Sequence, residues 1–220
     1  MQFDVVIVGA GAAGLMCAAT AAAKGRKVLL VDAAESVGKK IRISGGGRCN
    51  FTNLHTTPKN FISENEHFCV SALRRYTQQD FINLVKKHNI AFHEKTLGQL
   101  FCDFSSKEII NMLLAECENS KVEIRLNSKI SNIKKCENHF EMLLNGEALQ
   151  ATSLVIASGG LSIPKMGATG FGYDVAKEFN LKIVKPIPAL VPLTFPQELL
   201  TKTAKFSGVA IDACVSFGKI

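Results

Sequence analysis

A chain of 220 residues with 47% hydrophobic and 20% charged residues has the balance of a folded α/β protein and room for one large domain, or one domain plus part of another. This excludes a disordered or fibrous polypeptide, and the N-terminus shows neither a basic leader nor an unbroken apolar span, so the expectation is a cytoplasmic protein with no membrane segment. The formal charge of +7 suits an anionic cofactor or substrate, but the basic residues are dispersed without a basic tail or basic–aromatic stripe, which weighs against nucleic acid. The seven cysteines (17, 49, 69, 102, 117, 136 and 214) include no C-x-x-C pair, and the five histidines show no metal-ligand spacing. Reduced thiols, no disulfide framework and no metal site are therefore expected.

The run from Phe3 to Val8 is apolar and rich in β-branched residues, predicting a buried strand. It leads into Gly9-Ala10-Gly11-Ala12-Ala13-Gly14, the G-x-G-x-x-G spacing. Gly9 permits the tight turn, Gly11 lets a pyrophosphate approach the backbone beside Ala12 and Ala13, and Gly14 lets a helix pack close to the sheet. A helix from about Gly11 to Lys24 follows, and Gly25 suits its C-terminal cap. Its N-terminal amides and positive dipole end would face phosphates. Lys27–Val31 is the second strand, ending in Asp32-Ala33, where the carboxylate can accept from a ribose diol. A glycine turn that binds nothing is the alternative, but a strand before it, a helix after it and an acid at the next strand's end favour a dinucleotide site.

Between residues 38 and 53 the chain reads GKKIRISGGGRCNFTN. Lys39, Lys40, Arg42 and Arg48 offer charge for phosphates, Asn50, Thr52 and Asn53 offer hydrogen bonds, and the glycines allow close backbone approach. By composition alone, a solvated basic loop fits this stretch equally well. Together with GAGAAG, however, it resembles the signature of bacterial NAD(P)/FAD-dependent oxidoreductases, a two-domain flavoprotein family that includes aminoacetone oxidase and a bile-acid-reducing enzyme. The resemblance implies that Gly9, Gly11, Gly14 and Asp32 hold the ADP half of FAD. It also implies that Lys40 and the loop Ser44, Gly45, Gly46, Gly47, Arg48, Cys49 and Asn50 run beside the pyrophosphate, ribityl chain and flavin. Cys49 is a redox candidate by position, although packing is the better reading without a partner cysteine at motif spacing.

Residues 54–119 read as a helical insertion, with Thr77 capping a helix that carries Phe81, Leu84 and Val85, and a capping-box spacing at Ser105–Glu108. Cys102 stands where the family often has proline. A strand is expected at Val122–Leu126, and the resemblance places Ile130 against the adenine through its backbone. Phe140–Leu144 and Ala148–Gln150, joined through Asn145-Gly146, predict a hairpin of a small β-meander. The chain returns to the main sheet at Ser153–Ile156 and ends that strand in Ala157-Ser158-Gly159-Gly160, which resembles the A-T-G-G element of FAD enzymes and favours FAD over NAD.

A short helix is expected at Asp174–Phe179, with Phe171 standing where the family usually has a polar residue, then an extended linker at Pro186–Leu193 and an alternating strand at Gly208–Phe217. The expected architecture is α/β: a Rossmann-like FAD-binding domain over 1–190 with a helical insertion and small β-meander, then 191–220 as linker and first strand of a truncated β-rich domain. Because family members run to about twice this length by resemblance, the expectation is the N-terminal portion of a longer enzyme. The implied function is hydride transfer between FAD and a small organic substrate, with NAD(P)H as candidate reductant and no acid–base residue nominated. An NAD(P)-dependent dehydrogenase, a flavin-dependent RNA-modifying protein and a non-catalytic FAD-binding remnant are the alternatives.

Overall fold

In the computed structural model, the described residues are 1–163, 166–188, 194–209, 212, 214 and 216. They fall into two compact units, Met1–Lys182 and Ile183–Ile220. The first unit is built on β1 (Gln2–Val8), α1 (Ala12–Ala23) and β2 (Val28–Val31). All four residues of β2 are buried, as a strand covered on both faces requires. Gly25, at a φ of +79°, closes α1 in the left-handed conformation that glycine adopts without strain.

The chain then forms α2 (Lys39–Ile43), β3 (Asn50–Asn53), α3 (Val70–Arg75), α4 (Gln78–Lys87), β4 (Phe92–Glu94), β5 (Gln99–Cys102) and α5 (Lys107–Asn119). Thr77 caps α4 reciprocally: its hydroxyl accepts from the Asp80 N–H at 3.2 Å, while the Asp80 carboxylate accepts from the Thr77 N–H at 2.7 Å. At the start of α5, Glu108 reaches back to the Ser105 N–H at 3.1 Å. The stretch expected to be helical also contributes β4 and β5 to an antiparallel sheet in the order β3-β5-β4. Its strands are only three or four residues long, too short for a two-residue period to stand out between helices. Leu97 and Gly98, both at positive φ, turn β4 into β5.

β6 (Glu123–Arg125), β7 (Ile130–Lys135), β8 (Phe140–Leu144) and β9 (Glu147–Ile156) complete a six-stranded sheet in the order β6-β2-β1-β9-β8-β7. β1 runs parallel to β2 and β9, whereas β8 and β7 are antiparallel additions. The second hairpin arm and the strand returning to the main sheet are one ten-residue strand, β9. Asn145 and Gly146 both have positive φ, as a primed two-residue turn requires. Neighbouring residues of β1 and β2 serve opposite faces: Ile7, Val28 and Leu30 pack with Leu15 of α1 and Ile110 and Leu113 of α5, while Val6, Leu29 and Val31 pack with Phe3, Met142 and Leu149. α6 (Phe171–Glu178) starts three residues earlier than its apolar pattern suggests.

In the second unit, residues 183–188 have no regular structure, and α7 (Gln197–Thr203) is a helix not foreseen from the sequence. Much of the expected linker and most of the expected strand at 208–217 lie outside the described residues. Among the described residues, no helix is long and apolar enough to cross a membrane.

Candidate dinucleotide site

The site forms where β1 gives way to α1, between the carboxyl ends of β2 and β9. Strand order departs from β1 in opposite directions here, so the two neighbouring chain ends part and leave a crevice. Gly9 turns at a φ of +113°, and a Cβ on it would stand 2.4 Å from the Ala157 carbonyl oxygen. Gly14 is equally constrained, since a Cβ there would fall 1.8 Å from the Gly9 carbonyl oxygen. Gly11 differs: a Cβ on it would meet nothing within 4 Å. Two glycines thus serve backbone packing, and the middle one faces open space.

No side chain caps α1, which leaves the first-turn N–H groups without intrahelical partners. Gly11, Ala12 and Ala13 line a cleft of about 470 Å³. Opposite them, Asp32 ties the two loops together: its Oδ2 accepts from the Ala10 N–H at 2.6 Å and its Oδ1 from the Ala34 N–H at 2.8 Å. Each carboxylate oxygen keeps a second lone pair, so the same group can still accept from a ligand hydroxyl.

A second cavity of about 430 Å³ adjoins the first, and the two share Gly9, Asp32, Ala33, Ser158 and Gly167. Ile130, Ser128 and Lys129 line its far side. The Ser158 hydroxyl is buried and has no hydrogen-bond partner among the described residues. Such an orphan costs about 1–3 kcal/mol. An extended two-part ligand with an anionic middle therefore fits: phosphates at the uncapped helix end, a diol at Asp32, and a hydroxyl contact at Ser158.

Of the residues singled out from the sequence, Gly9, Gly11, Ala12, Ala13, Asp32, Ala33, Lys40, Ile130, Ala157, Ser158 and Gly159 line these cavities. Gly14 lies beneath them as a packing residue. Gly160 lines neither, although its carbonyl accepts from Lys40 Nζ at 3.4 Å. Lys40 also donates to the Ser162 hydroxyl at 2.8 Å, bridging α2 to the segment after β9. Residues 166–171 were missed as lining, as were Ser36 and Gly38, whereas Lys39, expected to offer charge for phosphates, does line the first cavity. The glycines at 167 and 170 were the available signal for a close backbone approach.

Ser44, Gly45, Gly46, Gly47, Arg48, Cys49 and Asn50 line neither cavity. They form a built turn rather than a loose loop. The Cys49 N–H donates to the Ser44 carbonyl at 2.9 Å, the Cys102 N–H to the Arg48 carbonyl at 2.9 Å, and the Ser106 N–H to the Gly47 carbonyl at 2.7 Å. A Cβ on Gly45 would lie 2.6 Å from the Phe101 ring, so β5 requires that glycine. Cys49 is buried, and burial pushes its thiol up, with a Ser44 hydrogen bond pulling the other way. Burial and the neighbouring Cys49 push Cys102 up to about 12. Burial of this kind disfavours the thiolate form that redox chemistry needs.

The HI0933-like protein Rossmann domain family matches residues 3–216. The chain belongs to this family. It is 50% identical over 215 residues to the ribosomal RNA dihydrouridine synthase of Escherichia coli (strain K12), covering 98% of this chain and 54% of the relative. The Haemophilus influenzae (strain ATCC 51907 / DSM 11121 / KW20 / Rd) protein of the same name is 43% identical, covering 96% of this chain and 53% of the relative. The 3-dehydro-bile acid delta(4,6)-reductase of Clostridium scindens (strain ATCC 35704 / DSM 5676 / VPI 13733 / 19) is 26% identical, covering 96% and 51% respectively. The chain thus spans about half the length of the curated relatives it matches.

Proposed function

We propose that this chain is the FAD-binding part of a flavin-dependent reductase that saturates the C5=C6 bond of a uridine in ribosomal RNA. The observation that carries the reading is the 50% identity to an enzyme of that name, which extends over 98% of the chain and so includes both cleft motifs. The names of the relatives share one chemistry: uracil C5=C6 and the double bonds of a 3-oxo bile acid are both conjugated to a carbonyl, so either accepts a hydride at the far carbon and a proton at the near one. When bound, FAD would supply the hydride chemistry, with NAD(P)H as the reductant. The chain's own residues bind and orient. The first turn of α1 would face the pyrophosphate, Asp32 would accept from the ribose, and the Ser158 hydroxyl would gain the partner it lacks.

Charge supports a polyanionic substrate. Arg42 and Arg48, on α2 and the turn after it, are exposed, line neither cavity and pair with no carboxylate among the described residues. Reduction of a small conjugated ketone is the second reading, favoured by the bile-acid reductase.

The test has two stages, run on the 220-residue chain and on the longest polypeptide its reading frame encodes. Flavin absorption that survives desalting after FAD is added supports the cofactor; colourless protein in both cases refutes it. The yellow protein is then incubated with NADPH or NADH and ribosomal RNA from cells lacking the gene, and dihydrouridine is read by mass spectrometry. A yellow protein that leaves the RNA unchanged yet oxidises NAD(P)H with a conjugated enone would overturn the RNA reading in favour of the second.

A further inference from the structure

The hairpin joining β7 to β8 brings Cys136, His139 and Glu141 together, away from the dinucleotide cleft. The spacing C-x-x-H-x-E straddles the turn, so no cysteine pair or histidine pair marks it in the sequence. Lys135 is the register partner of Phe140, and the Cys136 N–H donates to the His139 carbonyl at 2.8 Å. Cys136 and His139 therefore stand opposite each other, and Glu141, two residues along β8, projects to the same face as His139. The thiol sulfur, an imidazole nitrogen and a carboxylate oxygen all lie within 4.8 Å of one another.

The spacing of these atoms suits one small cation. His139 Nε2 lies 3.3 Å from Glu141 Oε1, and metal–nitrogen and metal–oxygen bonds of about 2.0 Å give a tetrahedron edge of about 3.3 Å. The sulfur must close to roughly 3.6 Å from each to complete the face, which a side-chain rotation of a partly exposed cysteine can supply. Gln150, the register partner of Glu141 on β9, donates to Glu141 Oε1 at 3.1 Å and holds the carboxylate in place. Lys134, the partner of Glu141 across the hairpin, makes no ion pair with it among the described residues.

The geometry points to a zinc site formed by Cys136, His139 and Glu141, with water as fourth ligand. A thiolate, an imidazole and a carboxylate form a donor set that suits Zn²⁺ and disfavours the all-oxygen preference of Mg²⁺ and Ca²⁺. Binding releases the Cys136 thiol proton to solvent and changes no oxidation state. The ion would clamp the turn end of the β7–β8 hairpin, where β7 is the outermost strand of the sheet.

The test is equilibrium dialysis of the purified protein against Zn²⁺ with metal analysis, alongside iodoacetamide labelling mapped by mass spectrometry. Cys136→Ser and His139→Ala should each bind one fewer zinc ion per chain than the parent protein. In the parent protein, Zn²⁺ should slow labelling of Cys136 several-fold and leave the exposed Cys214 unaffected. Unchanged stoichiometry in both variants overturns the site. So does Cys136 labelling that is equally fast with and without Zn²⁺, a measurement that needs no variant to fold.

Discussion

Adding the same methyl group at Gly11 and at Gly14 should have opposite consequences. In Gly14→Ala the new Cβ falls 1.8 Å from the Gly9 carbonyl oxygen, with the Leu30 side chain 3.4 Å away. Real Cβ atoms essentially never come within 3.0 Å of such a neighbour, so α1 must retreat from the turn by about 1.2 Å. That movement loosens Leu15, Ala18 and Ala22, which are all buried against the sheet and α5. Overpacking of this kind costs about 1–3 kcal/mol or more, which for a chain of this size lowers the melting midpoint by roughly 3–10 °C. In Gly11→Ala the methyl meets nothing within 4 Å, so stability should stay within about 0.5 kcal/mol of the parent. The methyl does enter the path of a pyrophosphate approaching the helix amides, so FAD affinity should fall by about tenfold or more, equivalent to about 1.4 kcal/mol. Thermal melts of the cofactor-free protein, paired with FAD titrations followed by tryptophan-independent flavin fluorescence, separate the two effects. A Gly11→Ala protein that binds FAD as tightly as the parent would refute the assignment of this cleft to the cofactor. A Gly14→Ala protein of unchanged stability would refute the packing argument.

Three further outcomes follow from individual side chains. Asp32→Asn can accept from only one of the two N–H groups that the carboxylate now satisfies, so a urea melt should show a loss of about 1.5–3 kcal/mol together with weaker FAD retention. Glu116 accepts from Lys87 at 2.8 Å and from His88 at 2.7 Å, and these hydrogen bonds hold its carboxyl below the usual glutamate range. A carboxyl lowered in the folded state adds stability above its unfolded value and loses it as pH falls through the folded one. Urea melts across the acid range should therefore show a steeper loss in the parent than in Glu116→Gln, and parallel curves would count against the tie between α4 and α5. Finally, iodoacetamide at neutral pH should label Cys214 but spare Cys49, Cys102 and Cys117 until the protein is unfolded, because all three are buried and burial raises each thiol, Cys117 to about 11. Rapid labelling of native Cys49 would restore it as a redox candidate.

The parallel core was legible because its signals are local and redundant. Val28–Val31 is an unbroken β-branched and leucine run, Gly25 supplies a left-handed cap, and Asp32 follows at once. Where meaning depended on a distant partner, the sequence was less informative. Nothing near β4 or β5 announces a sheet, since β4 pairs only with β5, and β5 takes its other partner from β3, a strand that precedes the whole helical stretch. The continuity of β9 was hidden for a related reason: its first half pairs antiparallel with β8 and its second half parallel with β1, so the apolar pattern changes midway along one strand. Residues 166–171 lack charge and periodicity, and only the folded chain places them over Asp32 and Gly9.

The two glycine clusters look alike as text but differ in what they answer to. At 9–14, the packing glycines flank a middle one that faces a cavity, which is how a turn presents its backbone to a ligand. At 45–47, Gly45 answers to the Phe101 ring, and the turn is pinned by hydrogen bonds from Cys102 and Ser106. A ligand approaching the second cluster would therefore meet a shape already fixed by β5 and α5, rather than a loop that closes around it. This locates adaptability elsewhere, in the Lys40 ammonium, whose bonds to Ser162 and Gly160 can be exchanged for a phosphate without disturbing the turn. If that reasoning is right, Lys40→Met should weaken FAD binding and increase its salt independence, while leaving the melting midpoint of the cofactor-free protein almost unchanged, because an exposed hydrogen bond of this kind contributes little to stability. A drop in that midpoint as large as the one expected for Gly14→Ala would show instead that the Lys40 bridge is a structural strut.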